Sequence, residues 1–134
     1  MACKWIALWM GVICFCSHAT AQKVLRPFPR HVKYFNGTIK PNAVSQAEMD
    51  KQVCDFYRQW KAKFVKSIPK KPESYIWFQN IGNKQCVSEG QGYGMTIVAI
   101  MAGYDASAQV TYDNLFHYYQ AHPSGKSRYL MAWA

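Results

Sequence analysis

The stretch from Val87 to Met95 constrains the fold of this chain more than any other part of its sequence. An apolar run, Met95 to Ala102, follows it at once. Glycine occupies alternate positions behind a single carboxylate, Glu89: Gly90, Gly92 and Gly94. Because glycine accepts backbone conformations that a Cβ forbids and lets other groups approach closely, the pattern predicts a tightly folded turn. This turn would present Glu89 at the start of a buried helix.

A first helix is predicted to begin at Ser45, because Ser45-Gln46-Ala47-Glu48 has the pattern of a capping box. Pro69 and Pro72 are expected to end it. Apolar side chains recur at steps of four and three along this helix and are interpreted as its core-facing stripe: Met49, Val53, Phe56, Trp60 and Phe64.

A short β-hairpin is predicted between the first helix and Glu89. Its strands would be Tyr75–Phe78 and Lys84–Ser88, joined by a turn at Asn80–Asn83. A third helix is predicted over residues 106–121, ended by His122-Pro123, with Gly103 as the C-cap of the helix before it. Its expected inner face consists of Val110, Tyr112, Leu115, Phe116 and Tyr119. The fold class is therefore mainly α.

Residues 1–21 have the pattern of a secretory signal peptide. Lys4 precedes an apolar stretch, Trp5–Cys16, and Ala19-Thr20-Ala21 supplies an A-x-A cleavage site. The apolar stretch is shorter than the roughly 20 residues that cross a bilayer, so a cleaved signal is preferred to an uncleaved anchor. The mature protein is expected to be secreted (extracellular or periplasmic), with no stable membrane association. Residues 22–42, rich in proline and basic residues, predict an extended leader before a folded part at 43–134.

Signal cleavage would leave two cysteines, Cys54 and Cys86. They can pair in an oxidising compartment or remain separate thiols that pack as small hydrophobes, and the sequence leaves both open. No histidine or cysteine spacing is typical of a metal site, so neither a metal nor another cofactor is predicted. The formal charge of +9 is interpreted as a solvated face rather than a nucleic-acid surface. We expect a monomer.

The segment Ser88-Glu89-Gly90-Gln91-Gly92-Tyr93-Gly94-Met95 resembles the signature of glycoside hydrolase family 8. The similarity continues at Gly103-Tyr104-Asp105, Tyr112–Leu115 and Leu130–Trp133. The resemblance implies a secreted enzyme that cuts internal β-1,4 bonds of a polysaccharide, as an endo-β-1,4-glucanase does. It also implies an (α/α)6 barrel, of which residues 43–134 would form the N-terminal part. Cellulose, β-glucan, xylan and chitosan all stay open as substrates.

The resemblance implies roles for three residues: Glu89 as general acid, and Trp133 and Tyr93 as substrate-binding aromatics. Glycoside cleavage also needs a second carboxylate, which in this inverting family lies in segments beyond the position of Trp133. The chain is therefore interpreted as an N-terminal fragment that is inactive alone. Asp105 and Asp113 are interpreted as a turn or cap residue and a solvated helix residue.

Other interpretations compete with the assignments of Glu89 and Trp133 and with the enzyme interpretation of the whole chain. Glu89 can simply be a helix-starting glutamate, because a helix N-terminus favours negative charge; burial among aromatic side chains such as Tyr93 would have to oppose this in an acid catalyst. Trp133 can be a core residue. The whole chain can be a non-catalytic carbohydrate-binding module or a secreted helical interaction domain.

Overall fold

The computed structural model describes residues 28–29, 35–41, 43–78 and 85–133. The signal peptide, most of the leader and the Asn80–Asn83 turn therefore lie outside the described residues. Helices predominate in the described part, and none of them is long and apolar enough to cross a membrane. The elements in chain order are α1 (Gln46–Phe64), β1 (Val65–Ser67), β2 (Ser74–Ile76), α2 (Ser88–Ile100), a 3-10 turn (Met101–Gly103), α3 (Ala108–Ala121), β3 (Pro123–Ser124) and β4 (Ser127–Met131).

Helix α1 begins where the capping pattern predicts. Ser45 is its N-cap, and the Ser45 hydroxyl accepts a hydrogen bond of 3.2 Å from the Glu48 amide. A side-chain oxygen at this position satisfies one of the amides that the first turn leaves unpaired.

The apolar stripe predicted for α1 is wrong over its N-terminal half. Phe56 is 70% exposed and Val53 is 44% exposed, whereas Tyr57, one position further on, is buried. Trp60 and Phe64 do pack against the core, as predicted. Periodicity identifies which side chains share a face, but it does not show how much of that face another element covers.

The first hairpin pairs β2 with the segment before it in the chain, whereas pairing with the segment after it was predicted. β1 pairs with β2 in antiparallel register, with Val65 opposite Ile76 and Ser67 opposite Ser74. The turn between the strands contains Pro69 and Lys70, whose φ of 64° is left-handed. The helix therefore ends at Phe64, and Pro69 belongs to the hairpin turn instead of ending the helix. β-branched Val65 suits a strand better than a helix interior.

The predicted partner of Tyr75–Phe78 was the segment Lys84–Ser88. Among the described residues a single backbone bond supports that pairing, from the Phe78 amide to the Gln85 carbonyl at 2.9 Å. The Tyr75 hydroxyl also donates to Gln85 Oε1 at 2.9 Å. The segment after β2 is thus held beside it, but as a loop rather than a strand.

The core lies where α2, α3 and β2 meet. Val98 and Leu115 are fully buried there, and Ile76 and Ala108 are nearly so. Half-buried side chains from the three α-helices, the 3-10 turn and β1 surround this cluster: Trp60, Phe64, Val65, Met95, Ala102 and Tyr112. α3 is consequently the element that packs against both α2 and the first hairpin.

The inner face predicted for α3 is correct only in part. Leu115 is fully buried, whereas Val110 is 64% exposed and Phe116 is 39% exposed. The helix begins at Ala108, two residues later than predicted, because Asp105 caps the preceding turn through the Ser107 amide at 2.9 Å. It ends before His122-Pro123, as predicted, and a second hairpin follows, with β3 and β4 paired across Gly125 and Lys126.

Both described cysteines are free thiols. Cys54 is half-buried on α1 and Cys86 is buried beside α2. Burial raises the pKa of the Cys86 thiol to about 11. Of the two alternatives left open by the sequence, the structure has the separate thiols.

Candidate active site

The glycine-rich stretch around Glu89 forms the first turns of α2, so the tight turn predicted there is wrong. Val87 is the N-cap, Ser88 is the first helical residue and Glu89 is the second. At one of these positions the need for glycine has a clear steric reason. A Cβ on Gly94 would lie 2.3 Å from Ile76 Cγ1, so β2 packs directly against the backbone of α2 at this position. The close approach expected at the glycines is therefore present at Gly94, but the glycine lies in a helix and not in a turn.

Helix α2 has two distinct faces, although its sequence from Met95 onward is mainly apolar. Gln91, Gly94 and Val98 recur at steps of three and four and are buried against the core. The opposite face is exposed and carries Glu89, Gly92, Tyr93, Thr96 and Ile100. The prediction of a helix buried on most sides is therefore wrong, since one full face is open.

Glu89 and Tyr93 lie one helical turn apart on this exposed face. Tyr93 is 64% exposed, and the Glu89 side chain is exposed as well. The aromatic burial expected around the carboxylate is therefore not provided by the described residues. The carboxylate instead lies exposed at the N-terminal, positive end of a helix.

Trp133 follows β4 and returns to the start of α2. The Ser88 amide donates a 3.1 Å hydrogen bond to the Trp133 carbonyl oxygen. A second backbone bond, from the Ala132 amide to the His122 carbonyl at 2.9 Å, holds the same segment against the end of α3. The Trp133 side chain remains 60% exposed, so among the described residues it is not a core residue. The structure thus brings Trp133 next to the turn that carries Glu89.

An open groove of about 920 Å³ runs along α2 from this turn. Ser88, one position before Glu89, and Gly92, three positions after it, line the groove. Glu89, Tyr93 and Trp133 do not. Its walls are mainly apolar and aromatic and come from α2, α3 and β4: Met95, Thr96, Ala99, Ile100, Tyr112, Phe116, Tyr119, Leu130 and Met131. Aromatic and apolar walls with few polar groups are typical of ligand sites.

Gln91 is the residue of this site that the sequence argument missed. It is fully buried, and its amide nitrogen donates to the carbonyl oxygens of Ser74 at 3.2 Å and Leu115 at 2.8 Å. Its amide oxygen accepts from the Ile76 amide at 2.9 Å and from the Cys86 thiol at 3.4 Å. Its spacing from Gly94 and Val98 places it on the buried face of α2, and this spacing is the signal that identifies it.

A second cavity, of about 670 Å³, lies between α1 and the start of α3. Asp105 at its edge accepts hydrogen bonds from Lys61 Nζ at 2.6 Å and from the Tyr57 hydroxyl at 2.5 Å. Burial alone would raise the pKa of Asp105, but the hydrogen bonds from Lys61, Tyr57 and Ser107 outweigh it and hold the pKa well below its usual value. Asp105 is thus a cap and an ion-pair partner, which agrees with its expected turn or cap role.

Asp113 also matches its expected role, since it is exposed on α3 and accepts a 2.8 Å hydrogen bond from Gln109 one turn earlier. Within the described ranges, no group of three or more histidine, cysteine or acidic side chains is placed to hold a metal ion. The candidate site residues that remain are Glu89, Tyr93 and Trp133. Their roles stay predictions.

The described part of the chain thus places one exposed carboxylate at a helix start near an aromatic-lined groove. The sequence model for Glycosyl hydrolases family 8 matches residues 26–134. The chain belongs to this family.

Two curated relatives and one solved structure show how far the likeness extends. A "Beta-glucanase" of Niallia circulans is 44% identical over 108 residues, which cover 81% of this chain and 26% of that protein. An "Endoglucanase" of Bacillus sp. (strain KSM-330) is 41% identical over 118 residues, covering 83% of this chain and 25% of that protein. The chain thus spans about a quarter of the length of these relatives.

The structural likeness has a similar extent. The apo structure of a "Beta-1,3-1,4-glucanase" from Paenibacillus sp. X4 matches with a TM-score of 0.74 and 42% sequence identity. The match covers 83% of this chain and 29% of that one. Most of the chain therefore has a structural counterpart in a solved glucanase.

Proposed function

We propose that this chain is the part of a glycoside hydrolase that supplies the general acid for cleavage of internal β-1,4 bonds in a β-glucan. The observation that carries the proposal is the position of Glu89. It lies exposed at the start of α2, one residue from the backbone bond that fixes Trp133 and between two residues that line the aromatic groove.

In the proposed reaction the Glu89 carboxyl protonates the glycosidic oxygen of the leaving sugar. A water molecule, activated by a second carboxylate, attacks the anomeric carbon from the opposite side and inverts its configuration. Inverting enzymes hold the two carboxyl groups about 6.5–9.5 Å apart to leave room for that water. We assign the second carboxylate to a segment outside these 134 residues.

Asp105 does not suit the role of base. It follows the C-terminal end of α2, and the helix from Glu89 to Ile100 is on the order of 16 Å long at 1.5 Å per residue. This exceeds the separation that an inverting pair requires. Asp105 is also already held by Lys61 and Tyr57.

We assign substrate binding to Trp133 and Tyr93. Both rings are mostly exposed, and an aromatic face packs well on the C–H face of a pyranose while the sugar hydroxyls stay hydrated. The exposure of Glu89 implies that the bound polymer and the other walls of the cleft have to exclude water from it. This requirement agrees with an (α/α)6 barrel in which further helices complete the cleft.

We propose cellulose or mixed-linkage β-glucan as the substrate, and not xylan or chitosan. The support is that the three similar proteins are named as a β-glucanase, an endoglucanase and a β-1,3-1,4-glucanase. We also propose that residues 1–21 direct secretion. The mature protein would then begin at Gln22, which N-terminal sequencing of secreted material tests.

The experiment for the proposed function uses the complete gene product that contains this chain. Barley β-glucan, carboxymethyl cellulose, xylan and chitosan are compared by reducing-sugar release, and the anomer formed first is followed by proton NMR. We expect cleavage of the β-glucan or the cellulose with release of the α-anomer, the inverted product. Release of the β-anomer would contradict the inverting mechanism. Binding without cleavage of any polymer would favour a carbohydrate-binding module.

A further inference from the structure

We propose that Gln91 is a positioning residue, whose buried amide fixes the helical turn that carries Glu89 to β2 and α3. The inference rests on the proposed role of Glu89 but concerns a different residue with different contacts. It follows from three features of the start of α2: the environment of Gln91, the absence of a side-chain cap, and the glycine content of the first turns.

The hydrogen-bonding capacity of the Gln91 amide is used in full. A primary amide has two N–H donors and an oxygen that can accept two hydrogen bonds. Both donors are taken by backbone carbonyls, those of Ser74 and Leu115, and both acceptor positions are taken by the Ile76 amide and the Cys86 thiol. A fully buried polar side chain with every partner satisfied has one defined position.

On β2 the amide takes the place that a peptide group of a neighbouring strand would take. It accepts from the Ile76 amide and donates to the Ser74 carbonyl of the same short strand. The remaining donor reaches the Leu115 carbonyl in the middle of α3. One side chain thus joins α2 to the two elements against which it packs.

Apart from the backbone bond from the Ser88 amide to the Trp133 carbonyl, the first turn of α2 has few other constraints. Its N-cap, Val87, provides no side-chain hydrogen bond to the exposed amides. Gly90, Gly92 and Gly94 follow, and each glycine in a helix costs about 1 kcal/mol relative to alanine. A turn of this composition would fray at its N-terminus. The backbone amide of Gln91 closes this turn on the Val87 carbonyl at 3.0 Å, so its side chain anchors the turn from within.

The consequence for catalysis is geometric. Glu89 lies two residues before Gln91 in the same turn, and its side chain is exposed on the opposite face. Its position relative to a bound glycan therefore depends on the backbone of the turn. A misplacement of about 1 Å can reduce turnover on the order of 10²-fold. Gln91 itself, fully buried, does not touch substrate.

Gln91→Met tests the inference, because methionine has a similar length but lacks both donors and the amide oxygen. Val98→Ala is the matched control, since Val98 is fully buried on the same face of the same helix, two turns further on. Gln91→Glu is the second variant if Gln91→Met does not fold. When ionised it keeps the acceptor for the Ile76 amide and loses both donations.

Two measurements are made on each variant. Hydrogen exchange of the amides at 88–94 is followed, and kcat and KM on β-glucan are measured, both in the complete gene product below its unfolding temperature. For Gln91→Met we expect at least tenfold faster exchange in this segment than in Val98→Ala. We also expect kcat to fall at least tenfold and by a larger factor than KM rises, because proton donation depends more strictly on the position of Glu89 than sugar binding depends on the positions of Tyr93 and Trp133.

The outcomes separate the two proposals. If Gln91→Met and Gln91→Glu exchange and turn over like Val98→Ala, Gln91 is an ordinary core residue and the inference is overturned. The same follows if the segment loosens but kcat is retained. If the wild-type product cleaves none of the polymers, the proposed hydrolase fails. The exchange data then still decide whether Gln91 fixes the turn.

Discussion

The amide of Ser88 donates to the carbonyl oxygen of Trp133 across 3.1 Å, so two segments far apart in the sequence meet one residue from Glu89. The bond uses one of the helix N-terminal amides that has no partner within its own helix. Because it joins main-chain atoms, it holds Trp133 near the proposed acid without using the indole ring. The ring is thus left for contact with another molecule.

Removal of the Trp133 ring is expected to weaken binding of β-glucan without lowering the stability of the fold. We expect Trp133→Ala to raise KM for β-glucan about tenfold, which corresponds to about 1.4 kcal/mol, while kcat changes little. The free energy of unfolding should stay within about 0.5 kcal/mol of wild type, because the side chain is largely exposed. Steady-state kinetics and urea unfolding of the complete gene product measure both.

Tyr129→Ala is the control for Trp133→Ala, since Tyr129 is 68% exposed on the same hairpin and has no proposed contact with sugar. An equal increase in KM in both variants would mean that the hairpin as a whole matters, not the Trp133 ring. A large loss of stability in Trp133→Ala alone would support core packing instead.

Two glycines of α2 should respond to alanine in opposite directions. Gly94→Ala places a methyl group 2.3 Å from Ile76 Cγ1, and we expect a loss of about 1–3 kcal/mol in unfolding free energy from overpacking. Gly92→Ala meets nothing within 4 Å, so the helix should gain about 0.5–1 kcal/mol. Urea unfolding of the two variants compares them directly. Equal effects would contradict the packing of β2 on α2.

The Asp105 ion pair makes stability depend on pH in a defined direction. Since the pKa of Asp105 is lower in the folded than in the unfolded chain, its stabilising effect is complete above the unfolded value of about 3.9. The effect is lost as the pH falls below that value toward the folded pKa. We therefore expect Asp105→Asn to cost about 1–3 kcal/mol at pH 7 and progressively less below pH 4.

Urea unfolding at pH 7, 5, 4 and 3 measures this difference. Asp113→Asn is the control, because Asp113 is exposed and accepts its hydrogen bond from Gln109 of the same helix, and it should differ from wild type by less than about 0.5 kcal/mol at every pH. A constant cost for Asp105→Asn down to pH 3 would show that its charge is not what stabilises the fold.

The two described thiols should differ in reactivity. Cys86 is buried and its pKa is raised to about 11, so little reactive thiolate is present at neutral pH. We expect iodoacetamide to label Cys54 at least tenfold faster in the native protein, and both at similar rates after unfolding in guanidinium. Peptide mapping by mass spectrometry measures the two sites. A peptide pair joined by a disulfide would contradict the free thiols.

The start of α1 and the end of α3 could be predicted because their signals are local. Ser45 with Glu48, and His122 with Pro123, mark helix ends through contacts within a few residues. The first hairpin could not be predicted as closely. Val65 continues an apolar pattern that suits a helix, and only the pairing with Ile76, a non-local contact, makes it a strand.

The candidate site, like the fold, could be predicted only in part from the sequence. The identity of Glu89 as the candidate acid comes from its segment alone, but the helical state of that segment depends on Ile76, which packs against Gly94, and on the buried bonds of Gln91. Both depend on tertiary contacts that glycine-rich composition does not indicate. The exposure of Phe56 has a related cause. The spacing of apolar residues shows which side chains share a helix face, but it does not show which other element covers that face.

Glu89→Gln tests whether Glu89 is the general acid. Glutamine keeps the size of the side chain but has no acidic proton to donate to the leaving oxygen. We expect kcat on β-glucan to fall about 10²–10⁴-fold with unfolding free energy unchanged. Glu48→Gln, a glutamate in the first turn of α1, should keep wild-type activity. Full activity in Glu89→Gln would contradict the account and make Glu89 an ordinary helix-starting residue.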